Sequence, residues 1–211
     1  MTTYGLAVAN CRNLPLADNS VDMIFTDPPY LKKYLPVYGW LAEEAARVLK
    51  PGGFVLAYCG GMYMDKIYAA FAPWPELQFF WEFAENRPSN RGDFIMNRRV
   101  LSIHKPIIAF SKGRGQLRVG GIHSRFESIG KMKLYHAWGQ DVSTARYYID
   151  HCTKPGDIVL DPFVGGGSTV EACKLIGRHC IGLDVDLSVV HISSSRMAGA
   201  YLPQQATLFA L

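Results

Sequence analysis

An α/β fold, with strands and helices alternating around an open sheet, is predicted by three features of this chain. Two apolar runs end in an acid: Met23-Ile24-Phe25-Thr26 leads to Asp27, and Ile158-Val159-Leu160 leads to Asp161. Such a run reads as a buried strand delivering a carboxylate to its carboxyl end, where open α/β sheets place their ligands. The third feature is the succession strand, glycine turn, helix, strand from Asp157 to Asp184, which has the size of one βαβ unit.

In chain order, Leu6 to Ala9 and Val21 to Phe25 are short buried strands separated by the turn-rich Pro15 to Ser20. Pro28 and Pro29 stop the second strand, because proline fixes the backbone and donates no N–H. Leu35 to Leu49 has helical apolar spacing (Leu41, Ala45, Val48, Leu49) and stops at Pro51-Gly52-Gly53. Phe54 to Tyr58 is a further strand, and Met62 to Phe71 a helix ended by Pro73 and Pro75. Leu77 to Phe83 and Ile107 to Ser111 form a possible strand pair, and the Gly-, Asn- and Ser-rich stretch between and after them reads as loop. Ser143 to Cys152 turns helical. Asp157 to Asp161 is the strand before Pro162-Phe163-Val164-Gly165-Gly166-Gly167-Ser168-Thr169, followed by a helix from Val170 to Ile176, a stop at Gly177, and a strand from His179 to Leu183 ending at Asp184.

With 211 residues and 49% hydrophobic content, the chain is most simply a single domain, 1–211. It has no apolar run of membrane-spanning length and no basic leader followed by an apolar core, so a soluble cytoplasmic protein is expected. Five scattered cysteines imply reduced thiols, and the six histidines form no ligand pattern, so no metal is assigned. The net charge is only +4, yet the segment from Arg87 to Lys133 holds eleven Lys/Arg against two acids, +9, leaving −5 elsewhere. Seven of the eleven are arginine, which suits phosphate and guanine contacts better than solubility alone requires. A polyanion partner is expected at this basic insertion, about 85–135.

Asp27-Pro28-Pro29-Tyr30 is the most specific element. A carboxylate, an outward carbonyl from a chain that has lost its N–H donors, and an aromatic ring are what a flat base bearing an NH2 group would need: acceptors for its hydrogens and a surface to stack on. In the second half, the triple glycine lets a ligand approach the backbone, and Asp184, about twenty residues on, is placed to hold a ribose. A βαβ unit binding NAD or a nucleotide would share this turn, but Asp161 would repel a pyrophosphate. S-adenosyl-L-methionine, which has a ribose, cationic groups and no phosphate, fits better.

With these motifs the sequence resembles the DNA amino-methyltransferases that form N6-methyladenine or N4-methylcytosine. The tetrad comes first and Asp161-Pro162-Phe163-Val164-Gly165-Gly166-Gly167 last, the order of the circularly permuted beta class of bacterial and phage enzymes. The resemblance covers nearly the whole chain, including Asn19 to Thr26, Leu49 to Gly53 and Lys154 to Asp186. It implies a Rossmann-like methyltransferase fold: a mostly parallel seven-stranded sheet with helices on both faces. It implies catalysis at Asp27, Pro28, Pro29 and Tyr30, and cofactor contacts from Asn10, Cys11, Asp27, Gln140, Asp161, Phe163, Gly165, Gly167, Ser168, Thr169 and Asp184. Asn10-Cys11 stands where relatives often have Gly-Asp, and the Gln140 region lacks the lysine of the usual His-Pro-x-Gln-Lys-Pro.

DNA contacts are assigned to Lys32, Lys33, Arg87, Arg91, Arg98 and Arg99. The expected partner is double-stranded DNA in a restriction–modification setting, with a homodimer possible. Aspartate at the first motif position points, by the family's correlation, to adenine N6. Cytosine N4 methylation, an RNA or protein amide methyltransferase, and a binding module without transfer are the alternatives. Products on DNA against RNA, and cofactor binding with or without turnover, separate them.

Overall fold

A computed structural model describes residues 2–86, 93–118, 120–128 and 141–198. Its main sheet contains β1 (Tyr4–Val8), β2 (Val21–Thr26), β3 (Leu49–Tyr58), β4 (Leu77–Asn86), β7 (His104–Lys112), β8 (Arg125–Glu127), β9 (Ile158–Asp161) and β10 (His179–Asp184). The spatial order is β1-β10-β9-β2-β3-β7-β4-β8. All neighbouring pairs are parallel except those of β7, which runs antiparallel to both β3 and β4.

The seven strands expected from the resemblance are present, and β8 adds an eighth at the edge, paired to the end of β4 through Ala84, Glu85 and Asn86. The stretch read as loop therefore holds more structure than its composition suggests. β4 continues to Asn86, β7 begins at His104, and between them β5 (Asp93–Ile95) and β6 (Val100–Ser102) form a separate antiparallel hairpin.

Helices cover both faces. α1 (Pro36–Val48) and α2 (Met64–Phe71) bury Leu41, Ala45, Ile67 and Phe71 with Ile24, Val55, Ile108 and Leu160. On the other face α3 (Val142–Cys152) and α4 (Ser168–Leu175) pack Tyr148, Ile149, Val170 and Cys173 against Met23, Leu56, Ala109 and Val159. The strands β2, β3 and β9 thus meet apolar side chains above and below, which explains their near-continuous hydrophobic runs.

A fifth helix, α5 (Leu187–Met197), was not legible from the sequence pattern. Ser193-Ser194-Ser195 is a poor helix-forming run. The usable signal was local: Asp186 accepts the Ser188 backbone N–H at 2.8 Å and caps the helix. The five cysteines are buried free thiols. No helix among the described residues is long and apolar enough to cross a membrane.

Candidate active site

The chain order places the two acid-ended strands far apart in sequence, but the sheet makes them neighbours. β2 pairs with β9 through Met23 with Val159 and Ile24 with Leu160, so Asp27 and Asp161 emerge at the same sheet end. Thr26, at the end of β2, donates its hydroxyl to Asp161 Oδ1 at 2.7 Å across 135 residues of chain. Around these ends lies a cleft of about 550 Å³, part of it open to solvent. Its lining includes Thr26, Asp27, Tyr58, Asp141, Asp161, Phe163, Gly165, Gly166, Ser168 and Thr169.

Three carboxylates therefore face one cleft. Asp161 is 3% exposed and its Oδ1 also accepts the Phe163 N–H at 3.1 Å. Burial pushes its carboxyl up to about 6, against lowering hydrogen bonds from Thr169, Thr26 and Phe163, and the Asp27 charge raises it further. Asp141 is 5% exposed and caps α3, accepting the Ser143 N–H at 2.8 Å. A cleft of this charge suits a cationic ligand and disfavours a phosphate.

The glycine turn is shaped from below. Gly165 and Gly167 have φ of 48° and 77°. On α5, Ser193 donates to the Gly165 carbonyl at 2.5 Å and Arg196 to the Gly166 carbonyl at 2.6 Å, while Arg196 also pairs with Glu171 of α4. A Cβ at Gly167 would stand 3.3 Å from Ser193 in a left-handed conformation. Gly167→Ala is accordingly expected to destabilise the protein by about 1–2 kcal/mol. It should weaken ligand binding at the turn, measurable by urea denaturation and calorimetry; wild-type values for both would refute this account of the turn.

Asp184 closes β10. Its carboxylate accepts the Gly165 N–H at 3.3 Å and the Asp186 N–H at 3.1 Å, which ties the ends of the βαβ unit together just outside the cleft lining. Asn10 is exposed and accepts the Arg12 N–H at 3.0 Å. Cys11 is 4% exposed, and burial pushes its thiol up to about 11. Both follow β1, which pairs with β10, so they lie beyond Asp184 and not in the cleft wall. Gln140 lies outside the described residues; its neighbour Asp141 lines the cleft.

On the tetrad, Asp27 Oδ2 pairs with Lys105 Nζ at 2.8 Å, and the same ammonium lies 5.0 Å from the Tyr30 ring centroid. Pro28 is buried, and Pro29 and Tyr30 are partly buried. Lys32 and Lys33 lie in a single 3-10 turn, Lys32–Tyr34, with Lys33 over the Tyr34 ring at 4.8 Å. Arg98 and Arg99 are exposed in the turn between β5 and β6, whereas Arg87 and Arg91 lie outside the described residues.

The basic segment divides on folding. Lys105 is buried against Asp27, and Lys112 donates to Asn19 Oδ1 at 2.7 Å and to the Leu49 carbonyl at 2.8 Å. These two lysines belong to the scaffold and not to a nucleic-acid surface. Lys105, Tyr58, Asp141, Ser193 and Arg196 were all missed as site-related residues by sequence reasoning, because each reaches the site through strand pairing or helix packing and no motif marks it.

Residues 120–195 match the DNA methylase family of N6 and N4 methyltransferases. The chain is 27% identical to the Type II methyltransferase M.HpaI of Haemophilus parainfluenzae over 86% of its own length and 69% of that protein's. Its fold is similar to the crystal structure of the M1.HpyAVI–SAM complex, with a TM-score of 0.75 at 20% identity, covering 92% of this chain and 99% of the other. It is also similar to the PvuII DNA methyltransferase, described as cytosine-N4-specific, with a TM-score of 0.78 at 17% identity, covering 92% and 87%.

Proposed function

We infer that this chain, a DNA amino-methyltransferase by motif order, sequence relatives and fold, transfers a methyl group from S-adenosyl-L-methionine to the exocyclic N6 amine of adenine in a base flipped out of double-stranded DNA. The observation that carries the reading is the convergence of Asp27 and Asp161 on one cleft from adjacent strand ends. One carboxylate suits an amine's hydrogens and the other a cation.

The residues fit the cofactor. Asp161 and Asp141 form an acidic wall for its ammonium and sulfonium, and the open glycine turn of Gly165 and Gly167 admits it close to the backbone, with Phe163, Ser168 and Thr169 alongside. Asp184, with Asn10 and Cys11 beyond it, would hold the ribose and adenine end, and Gln140 the methionine carboxylate. When bound, the cofactor supplies an electrophilic methyl group.

The chain's own residues orient the nucleophile. An aromatic amine is a poor nucleophile because its lone pair is delocalised into the ring. Asp27 and the Pro28 carbonyl accept its two N–H groups and localise that pair as nitrogen becomes tetrahedral. Pro29 holds the turn, and Tyr30 stacks on the flipped base for about 1–3 kcal/mol. The proton of the methylated amine leaves without needing a strong base. Lys32, Lys33, Arg98 and Arg99, with Arg87 and Arg91, would meet the DNA backbone, in a restriction–modification setting and with a second copy as a possible partner.

A second reading, cytosine N4 methylation, is favoured by the likeness to the PvuII enzyme and would use the same cleft. Purified protein incubated with S-adenosyl-L-methionine and unmethylated genomic DNA, or with total RNA, then digested to nucleosides for mass spectrometry, decides between them. N6-methyldeoxyadenosine is expected. N4-methyldeoxycytidine would transfer the reading to the other base, a signal on RNA alone would overturn the substrate, and cofactor binding without any product would return the chain to a binding module.

A further inference from the structure

Lys105 is withdrawn from the basic segment by the fold. It is the second residue of β7 and 7% exposed, and its Nζ lies 2.8 Å from Asp27 Oδ2. The ammonium also lies 4.0 Å from the centroid of the Tyr58 ring and 5.0 Å from that of Tyr30. Across the β4–β7 ladder it stands opposite Glu85, 1% exposed, whose Oε2 accepts the Tyr58 hydroxyl at 2.5 Å.

A buried ammonium is expensive to desolvate, and here a carboxylate and two ring faces offset that cost. Stability alone does not explain the arrangement, because well-packed apolar residues usually serve as well as a buried ion pair. A phosphate contact does not explain it either, since the ammonium is turned away from solvent. Its consequence falls on Asp27.

We propose that Lys105 is a positioning residue for methyl transfer, fixing the orientation of the Asp27 carboxylate that accepts the amine hydrogens. The proposal rests on the function inferred above. Asp27 shares its cleft with two further acids, Asp161 at the end of β9 and Asp141 at the start of α3, and with Tyr58 at the end of β3, whose hydroxyl donates to Glu85. A carboxylate that rotates out of place cannot present an oxygen to the amine, and the Lys105 contact to Oδ2 restrains that rotation. Lys105 reaches Asp27 from β7, across β3. It adds no covalent step and takes no proton from the substrate.

The test compares wild type, Lys105→Met, Lys105→Gln and Lys105→Arg. Methyl transfer to DNA is followed from pH 5.5 to 9.5 at saturating S-adenosyl-L-methionine, and cofactor affinity by calorimetry. The Asp27 carboxyl carbon is observed by 13C NMR, with its resonance assigned through Asp27→Asn. In Lys105→Met we expect kcat to fall about 10–100-fold across this pH range, with the Asp27 carboxyl resonance displaced from its wild-type position. The KM for cofactor should change by less than about threefold. Lys105→Arg should restore most of the rate at pH 7, and Lys105→Gln should repeat the Met result if Met packs poorly. A loss of rate with an unmoved Asp27 resonance would overturn the proposal, as would an unchanged rate. If wild type itself methylates no nucleic acid, the functional reading falls and the catalytic role with it. The NMR signal then still reports separately whether Lys105 positions Asp27.

Discussion

Asp27→Asn is expected to lower methyl transfer by at least about 10²–10³-fold while leaving binding of S-adenosyl-L-methionine largely intact. The asparagine keeps the volume and one acceptor oxygen for Lys105, so the pairing that spans β2 and β7 is weakened but not left empty. It loses the negative charge and one of the two oxygens through which an amine hydrogen is accepted. Asp27→Ala should be equally inactive and also less stable, because it strands the Lys105 ammonium at 8% side-chain exposure without its carboxylate. Single-turnover methylation of DNA with calorimetric cofactor binding separates the two effects. Normal turnover in either variant would remove Asp27 from the mechanism.

The second large effect concerns Asp161 and has opposite signs for binding and stability. Burial raises this carboxyl from 3.8 to about 6. Between those pH values the folded protein holds more protons than the unfolded chain, so the cofactor-free protein loses stability as pH rises through the window and stays lower above it. The cost at neutral pH is at most about 3 kcal/mol. Asp161→Asn removes the charge while its oxygen can still accept from the Thr26 hydroxyl and the Phe163 N–H, both of which reach Oδ1.

The asparagine variant is therefore expected to melt a few degrees higher than wild type at pH 7.5 without cofactor, and to bind S-adenosyl-L-methionine at least ~10²-fold more weakly. Wild-type affinity should itself fall as pH drops below about 6, with protons released on binding, because the cofactor's cation needs the ionised carboxylate. Scanning calorimetry and titrations in buffers of different ionisation enthalpy check both halves. Unchanged cofactor affinity in the variant would sink the assignment of Asp161.

Much of the cleft was legible because its turns and strand ends depend on local chemistry. Prolines that stop a strand, glycines that turn one, and apolar runs ending in acids each act within a few residues, so Asp27 to Tyr30 and Asp161 to Thr169 could be read directly. The basic insertion was legible as charge but not as structure. Lys105 and Lys112 count as positive residues in any composition, yet one pairs with Asp27 and the other closes a turn around Leu49. Helix α5 was hidden by its serines, and with it the donors Ser193 and Arg196 that hold the glycine turn.

The sequence by itself determined the kinds of strand end and turn, the acids they carry and the order in which the two halves come, because these follow from backbone preferences and apolar runs within single segments. Only the tertiary structure decided which carboxylates share a cleft, which lysine leaves the surface, and what supports the turn from beneath. Those outcomes depend on pairing between β2 and β9, between β4 and β7, and between α5 and the glycine turn. Such contacts join residues of different elements, 18 or more positions apart, where no local preference of the chain records the partner.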